Sequence, residues 1–401
     1  MATTAEQMRA WRGLAIFSFG FRPFFMGAAV WAALAMILWI PMLSGHLSLL
    51  TAFDPVSWHA HEFLFGYLSA VIAGFLLTAV PNWTGRLPIV GWPLAALWSL
   101  WLVGRLAMAL SATMPPIAAA ALDLAFPVVF LSAIAREIVM ERNWRNLIVL
   151  AILTGFVLGN GLFHLDTLRG GVAAGGYGLR LGLGTAIMMI AVIGGRIVPS
   201  FTRNWLARRG GGRMPVPPMQ RFDKVALVAL LVALVLWVAA PALLLTGMAL
   251  ILAGALHLAR LSRWAGDRTF AEPLVLVLHA GYGLLPLGAL ALGLAILRPE
   301  SLGIAAAQHL WMAGAIALMT LAVMTRATLG HTGQDLTAGA ATVAIYLAAA
   351  AAVLARLAAG LWPGLSAWLH PVAGVAWIVA FGGFVLTYGS SLSNLPPAKL
   401  I

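Results

Sequence analysis

Residues 57–81 read SWHAHEFLFGYLSAVIAGFLLTAVP, an apolar run that opens on two histidines and a glutamate, His59, His61 and Glu62. About 20 apolar residues are enough to cross the hydrocarbon core of a bilayer. Inside that core ionisable side chains are costly, so a cluster of them marks a functional site by default. Working outward, runs of the same length and apolarity recur along the 401-residue chain. They predict spans at 15–40, 57–81, 90–110, 116–138, 146–167, 177–202, 222–240, 241–263, 271–297, 303–326, 338–358 and 366–388. The seventh and eighth abut at Ala240-Pro241, which makes that hairpin the least distinct. The predicted fold class is all-α, a polytopic membrane helix bundle of twelve transmembrane helices.

Composition agrees: 62% of the residues are hydrophobic and 9% charged, with a mean hydropathy of +0.97. Soluble domains carry about 25% charged residues, so lipid is the main solvent of this chain. The absence of cysteine excludes thiolate metal sites, iron–sulfur clusters, covalently attached haem and disulfides. Any transition-metal site must use His, Met or carboxylate. The net charge of +12 suggests nucleic acid until the basic residues are located. They lie in short loops between apolar segments, where they report topology instead. The first apolar run, broken by Arg22-Pro23 and continuous with a full-length span, reads as a span rather than a cleavable signal peptide.

Alternate loops on one side hold Arg9 and Arg12; Arg86; Arg136, Arg142 and Arg145; Arg203, Arg208, Arg209, Arg213, Arg221 and Lys224; Arg260, Arg263 and Arg268; Arg326; and Lys399. The opposite loops hold only Arg169, Arg180, Arg298 and Arg356. The positive side faces the cytoplasm, which predicts cytoplasmic termini. The basic Gly/Pro segment 203–221 is the one clear linker. It divides a single membrane domain into two six-helix halves, 13–202 and 222–390, between which no matching motifs are visible.

The histidines sort by depth. His59 and His61 lie near the outer end of span 2, and His309 about two turns below the outer end of span 10. His46, His164 and His370 fall at span ends or in a loop on the same side, where a lone imidazole is usually an interfacial or hydrogen-bonded group. Toward the cytoplasm lie His257, His279 with Tyr282 one turn on, and His331 just beyond span 10. In Gly330-His331-Thr332-Gly333 helix capping is a sufficient explanation, and for His279 polar pairing between helices is. On a regular helix His59 and His61 point roughly 200° apart. Two adjacent sites follow: His59 with Glu62 for a small ion, and His61 beside Phe65, Gly66, Ala70 and Gly74, where a flat macrocycle could pack. Arg22, Arg105 and Arg196 fall within apolar spans and need anionic partners. Glu62 and Asp123 are the carboxylates expected to be buried, so acids are short and haem propionates are candidate partners for these arginines; lipid, a substrate anion or snorkelling compete.

At these residues the chain resembles the NnrS family. The resemblance rests on Phe21-Arg22-Pro23-Phe24-Phe25, on His59-Ala60-His61-Glu62 with 74–85 (GFLLTAVPNWTG), on 195–202 (GRIVPSFT), on Leu278-His279-Ala280-Gly281-Tyr282, and on 324–333 (MTRATLGHTG). It implies a multi-pass protein of the bacterial inner (cytoplasmic) membrane that contains haem b and copper and acts in nitric oxide metabolism, denitrification or defence against nitrosative stress. The metal ligands it carries over are His59, His61, His279, His309 and His331. A more distant likeness, to the catalytic subunit of haem–copper oxidases and nitric oxide reductases, rests on twelve spans, cytoplasmic termini and histidines at spans 2 and 10. That family also places metal ligands on spans 6 and 7, which here contain no histidine.

The expected activity is therefore binding or reduction of nitric oxide as small-molecule ligand, with electrons from an unidentified donor and no nucleic acid partner. His61 and His309, with Arg22, Arg105 and Arg196, are expected to bind haem. His59 and Glu62 are the expected catalytic pair, His59 on copper and Glu62 moving protons. His279 and His331 are expected at a second, inner centre. The alternatives are a twelve-helix transporter or metal-handling protein, and a redox sensor without turnover. Against the first, buried acids are few and Met8, Met26, Met36 and Met42 form no ladder.

Overall fold

In the computed structural model residues 11–300 and 302–394 are described; Met8, Arg9 and Lys399 lie outside them. All regular structure among these residues is helical. Twelve helices are long and apolar enough to cross a membrane: α1 Phe21–Leu43, α2 Pro55–Thr84, α3 Trp92–Ala109, α4 Pro116–Met140, α5 Trp144–Leu168, α6 Tyr177–Ala207, α7 Arg221–Ala239, α8 Leu244–Ser262, α9 Pro273–Leu297, α10 Ile304–His331, α11 Ala340–Leu361 and α12 Pro363–Ser393. Each overlaps one predicted span, and the protein is a multi-pass membrane protein. The α7–α8 hairpin is made by a short turn in which the Leu243 amide and the Thr246 hydroxyl both donate to the Ala240 carbonyl, at 3.2 and 2.8 Å.

Large apolar side chains remain exposed along the helices, among them Ile117, Val232, Leu252, Leu347, Val379 and Leu386. In water such surface would be an association site; on a bundle of this composition it is the lipid-facing surface. The three most buried spans are α2, α6 and α10. Each of these three also contains a π-helical turn, at Glu62–Tyr67, Ile190–Gly194 and Leu310–Ile316. A π turn adds one residue to the helical repeat and frequently marks a functional site.

The described residues pack as two units. One comprises the residues up to Gly182, Val323–Leu336, and those from Phe381 onward; the other comprises Leu183–Ala322 and Thr337–Ala380. The basic loop 203–221 falls within the second unit. In the first unit, a Cβ added to Gly159 would come 2.7 Å from the Gly182 nitrogen, and one on Gly178 2.2 Å from the Phe163 nitrogen. Small residues thus let α5 and α6 touch backbone to backbone, which fixes the face of α5 that carries Asn160 and His164. The start of α2 is set by Asp54, whose Oδ1 accepts from the Val56 and Ser57 amides at 3.0 Å each, with Pro55 at the first helical position.

One boundary differs from expectation. His331 closes α10 rather than following it, and the helix ends in a turn at Gly333, which has φ +72°. Gly333 is the left-handed terminator there, and Gly330 lies within the helix.

Candidate metal centre

Four helices of the first unit deliver polar side chains to one dry location: His61 and Glu62 from α2, Arg105 from α3, Asp123 from α4, and Asn160 and His164 from α5. All six are buried. The His61 Nδ1 lies 2.9 Å from Glu62 Oε1, and its Nε2 lies 3.1 Å from Asp123 Oδ2 and 3.0 Å from Asn160 Oδ1. Asp123 Oδ2 also accepts from Asn160 Nδ2 at 2.8 Å and from His164 Nε2 at 3.0 Å. Arg105 Nη1 donates to both oxygens of Glu62 at 2.7 Å, and its Nη2 donates to Asp123 Oδ1. The Trp31 indole donates to Glu62 Oε2 at 2.7 Å. Phe53, Phe65 and Phe163 pack against the His61 ring, with ring centroids 5.9, 5.5 and 5.4 Å away.

The charge balance is informative. Two carboxylates and one guanidinium leave one negative charge in a site without solvent, which is costly unless another cation enters. As arranged here, both ring nitrogens of His61 face carboxylate oxygens, so the imidazole completes the balance by carrying both protons. A metal ion can take the place of one of them. His61, Asp123 and His164 each offer a ligand atom, and these three atoms lie within 4.8 Å of one another. Two imidazoles and one carboxylate suit copper, zinc or non-haem iron. With Nε2 on a metal, His61 still donates Nδ1–H to Glu62, the carboxylate–histidine–metal relay that fixes tautomer and ring orientation. Arg105 then holds both carboxylates in place.

The chain matches the NnrS protein family over residues 15–394. It belongs to that family. No curated protein matches it.

In this NnrS protein Glu62 is held in the buried centre around His61. The Glu62 carboxylate meets His61, Arg105 and Trp31. The His59 ring stacks on Trp39, centroid to centroid 4.3 Å, and packs against Phe63 at 4.6 Å. Nor do the small residues of α2 leave room for a macrocycle beside His61. A Cβ on Gly66 would meet Arg105 Nη1 at 2.5 Å and Glu62 Oε2 at 2.8 Å, and one on Gly74 would meet Phe25 at 2.7 Å. That face is filled by protein, so a haem macrocycle does not fit there. A single ion does.

His309 belongs to the second unit. Its Nδ1 donates to the Ala305 carbonyl at 2.6 Å, which makes Nε2 the acceptor nitrogen, the tautomer an axial ligand requires. His279 of α9 pairs with α6. Thr202 Oγ1 donates to Val198 O, so His279 Nε2–H donates to Thr202, at 2.8 Å. Its Nδ1 lies against Gly266, where a Cβ would approach to 2.6 Å. His331 packs its ring on Phe21 and Phe19, at 5.3 and 5.5 Å.

The three arginines have different surroundings. Arg105 finds its anions within the protein, as Glu62 and Asp123, so propionates are not needed to explain it. Arg22, buried at the start of α1, donates Nη1 to the carbonyls of Leu392 and Asn394, at 3.2 and 2.6 Å. Arg196 lies half-buried on α6 in the second unit.

The members missed from sequence are His164 and Asn160. They stand four residues apart on α5, hence on one face. With Asp123 singled out as a carboxylate within a span, this Asn-x-x-x-His spacing was the available signal.

Proposed function

We propose that this protein is a nitric oxide-handling metalloprotein of the bacterial cytoplasmic membrane, with both termini cytoplasmic and a copper ion held by His61, Asp123 and His164. The observation that carries the reading is the convergence of two imidazoles and a carboxylate in a buried site that is one positive charge short without a proton on His61. Haem b is assigned to His309, whose tautomer suits it. Copper supplies one-electron exchange, and haem iron supplies affinity for nitric oxide.

The chain's own residues make that chemistry feasible in lipid. Phe53, Phe65 and Phe163 keep water from the imidazole. Glu62 accepts the Nδ1 proton of His61 and so presents Nε2. Arg105 and Trp31 fix the Glu62 oxygens, and Asn160 orients Asp123. Coupling two nitric oxide molecules to nitrous oxide and water consumes two electrons and two protons. Glu62, which is hydrogen-bonded to His61 Nδ1 and stays off the metal, is the proton-bearing group proposed for it, with electrons from a donor protein.

The test is metal content followed by spectroscopy of the purified full-length protein. The copper signal should change on adding nitric oxide, and a Soret band should shift under reducing conditions. A protein from copper- and haem-replete cells that responds to nitric oxide in neither signal refutes the reading.

A further inference from the structure

A second buried charge lies outside this centre. Arg22 is the second residue of α1, and its side chain is fully buried. No carboxylate pairs with it among the described residues. Its Nη1 bonds two backbone carbonyls at the end of α12, which fixes the plane of the guanidinium. Both Nε and Nη2 are buried without any hydrogen-bond partner. These two N–H groups lie on the same edge of the guanidinium, the edge that meets a carboxylate or phosphate through two parallel hydrogen bonds.

One unsatisfied buried donor costs about 1–3 kcal/mol, and more when charged. Two on one edge of an uncompensated cation describe a receptor without its anion. The surroundings agree. The first turn of a helix carries partial positive charge, which favours anions. The Phe21 ring lies 5.7 Å from the Arg22 guanidinium carbon, and the His331 ring stacks on the Phe21 ring. These aromatic groups shield the position from water.

We infer that the Nε/Nη2 edge of Arg22, at the end of the first unit where α1 begins and α10 and α12 finish, binds an oxyanion that presents two oxygens side by side. The oxyanion has two possible sources, a phospholipid headgroup or a soluble ion such as phosphate. The site is separate from the His61 centre, and the inference stands whether or not that centre holds metal.

The experiment uses the full-length protein, delipidated in dodecyl maltoside micelles, in phosphate-free chloride buffer. Inorganic phosphate is titrated in, and a parallel preparation contains phosphatidylglycerol. The thermal midpoint should rise saturably with phosphate if the source is soluble, or only with phosphatidylglycerol if it is a headgroup; either result supports the site. Arg22→Lys keeps the charge and loses the two-donor edge, so its affinity for the effective probe should fall roughly tenfold or more. Should this variant not fold, wild-type protein labelled at arginine Nε gives the same information. One Nε–H resonance should shift with the midpoint of the thermal response. A wild type unmoved by both probes, an Arg22→Lys variant that responds as wild type does, or Nε–H resonances that stay fixed through the titration would overturn the inference.

Discussion

Replacing Arg105 by methionine tests the charge balance of the buried centre. Methionine keeps much of the length and apolar volume of the side chain and removes the guanidinium. Glu62 then loses two hydrogen bonds of 2.7 Å, and Asp123 loses its bond to Nη2. The charges left, two carboxylates and one imidazolium, sum to minus one in a site without solvent. Removing one partner of a buried ion pair costs about 3–5 kcal/mol. At about 1.4 kcal/mol per tenfold, the folded-to-unfolded ratio should fall by roughly two to four orders of magnitude. The measurement is reversible unfolding in mixed detergent micelles of increasing sodium dodecyl sulfate content. The second half of the prediction concerns sign. In the double variant Arg105→Met/Glu62→Gln the charges again sum to zero, so it should be more stable than Arg105→Met alone, by about 1–3 kcal/mol of coupling. Strictly additive losses would refute the argument that charge balance holds this centre together.

Other consequences follow from the same contacts. Gly66→Ala places a methyl group 2.5 Å from Arg105 Nη1 and 2.8 Å from Glu62 Oε2; these atoms are held by hydrogen bonds and cannot retreat, so a loss of about 1–3 kcal/mol is expected in the same unfolding assay. Arg260→Met breaks the buried pair with Asp223, at 2.9 Å in the second unit. It should destabilise by about as much as Arg105→Met while leaving the metal content per folded protein unchanged, which separates stability from binding. His59→Ala removes a ring stacked on Trp39 rather than a ligand, so metal analysis should find its copper content at the wild-type level.

How far the sequence could be read depended on the strength of each signal. Twelve spans were legible because 20-residue apolar runs are rare by chance and each must satisfy its own backbone. Even the abutting seventh and eighth spans were separated correctly, since Pro241 cannot continue a helix that needs its amide. Glu62 was legible as important, but its contact with the neighbouring His61 was not. Residues 59 and 62 share a helical face, but the groups that hold the Glu62 carboxylate include Trp31 and Arg105 from other helices, which no local spacing marks. His164 looked like an interfacial imidazole because its role depends on Asp123, 41 positions away, and on the glycine contacts that press α5 against α6. The arginines followed the same logic. Arg105 seemed short of anions when acids were counted along the chain, yet the two acids available both converge on it.

In the proposed centre His61, Asp123 and His164 grip a metal ion. Elemental analysis of purified wild-type, His61→Ala, Asp123→Ala, His164→Ala and His370→Ala proteins tests it most directly. One copper is expected per wild-type and His370→Ala chain, with near-complete loss in each of the other three. Copper retained in folded His164→Ala protein, or a wild type from copper-replete cells that contains none, would contradict it.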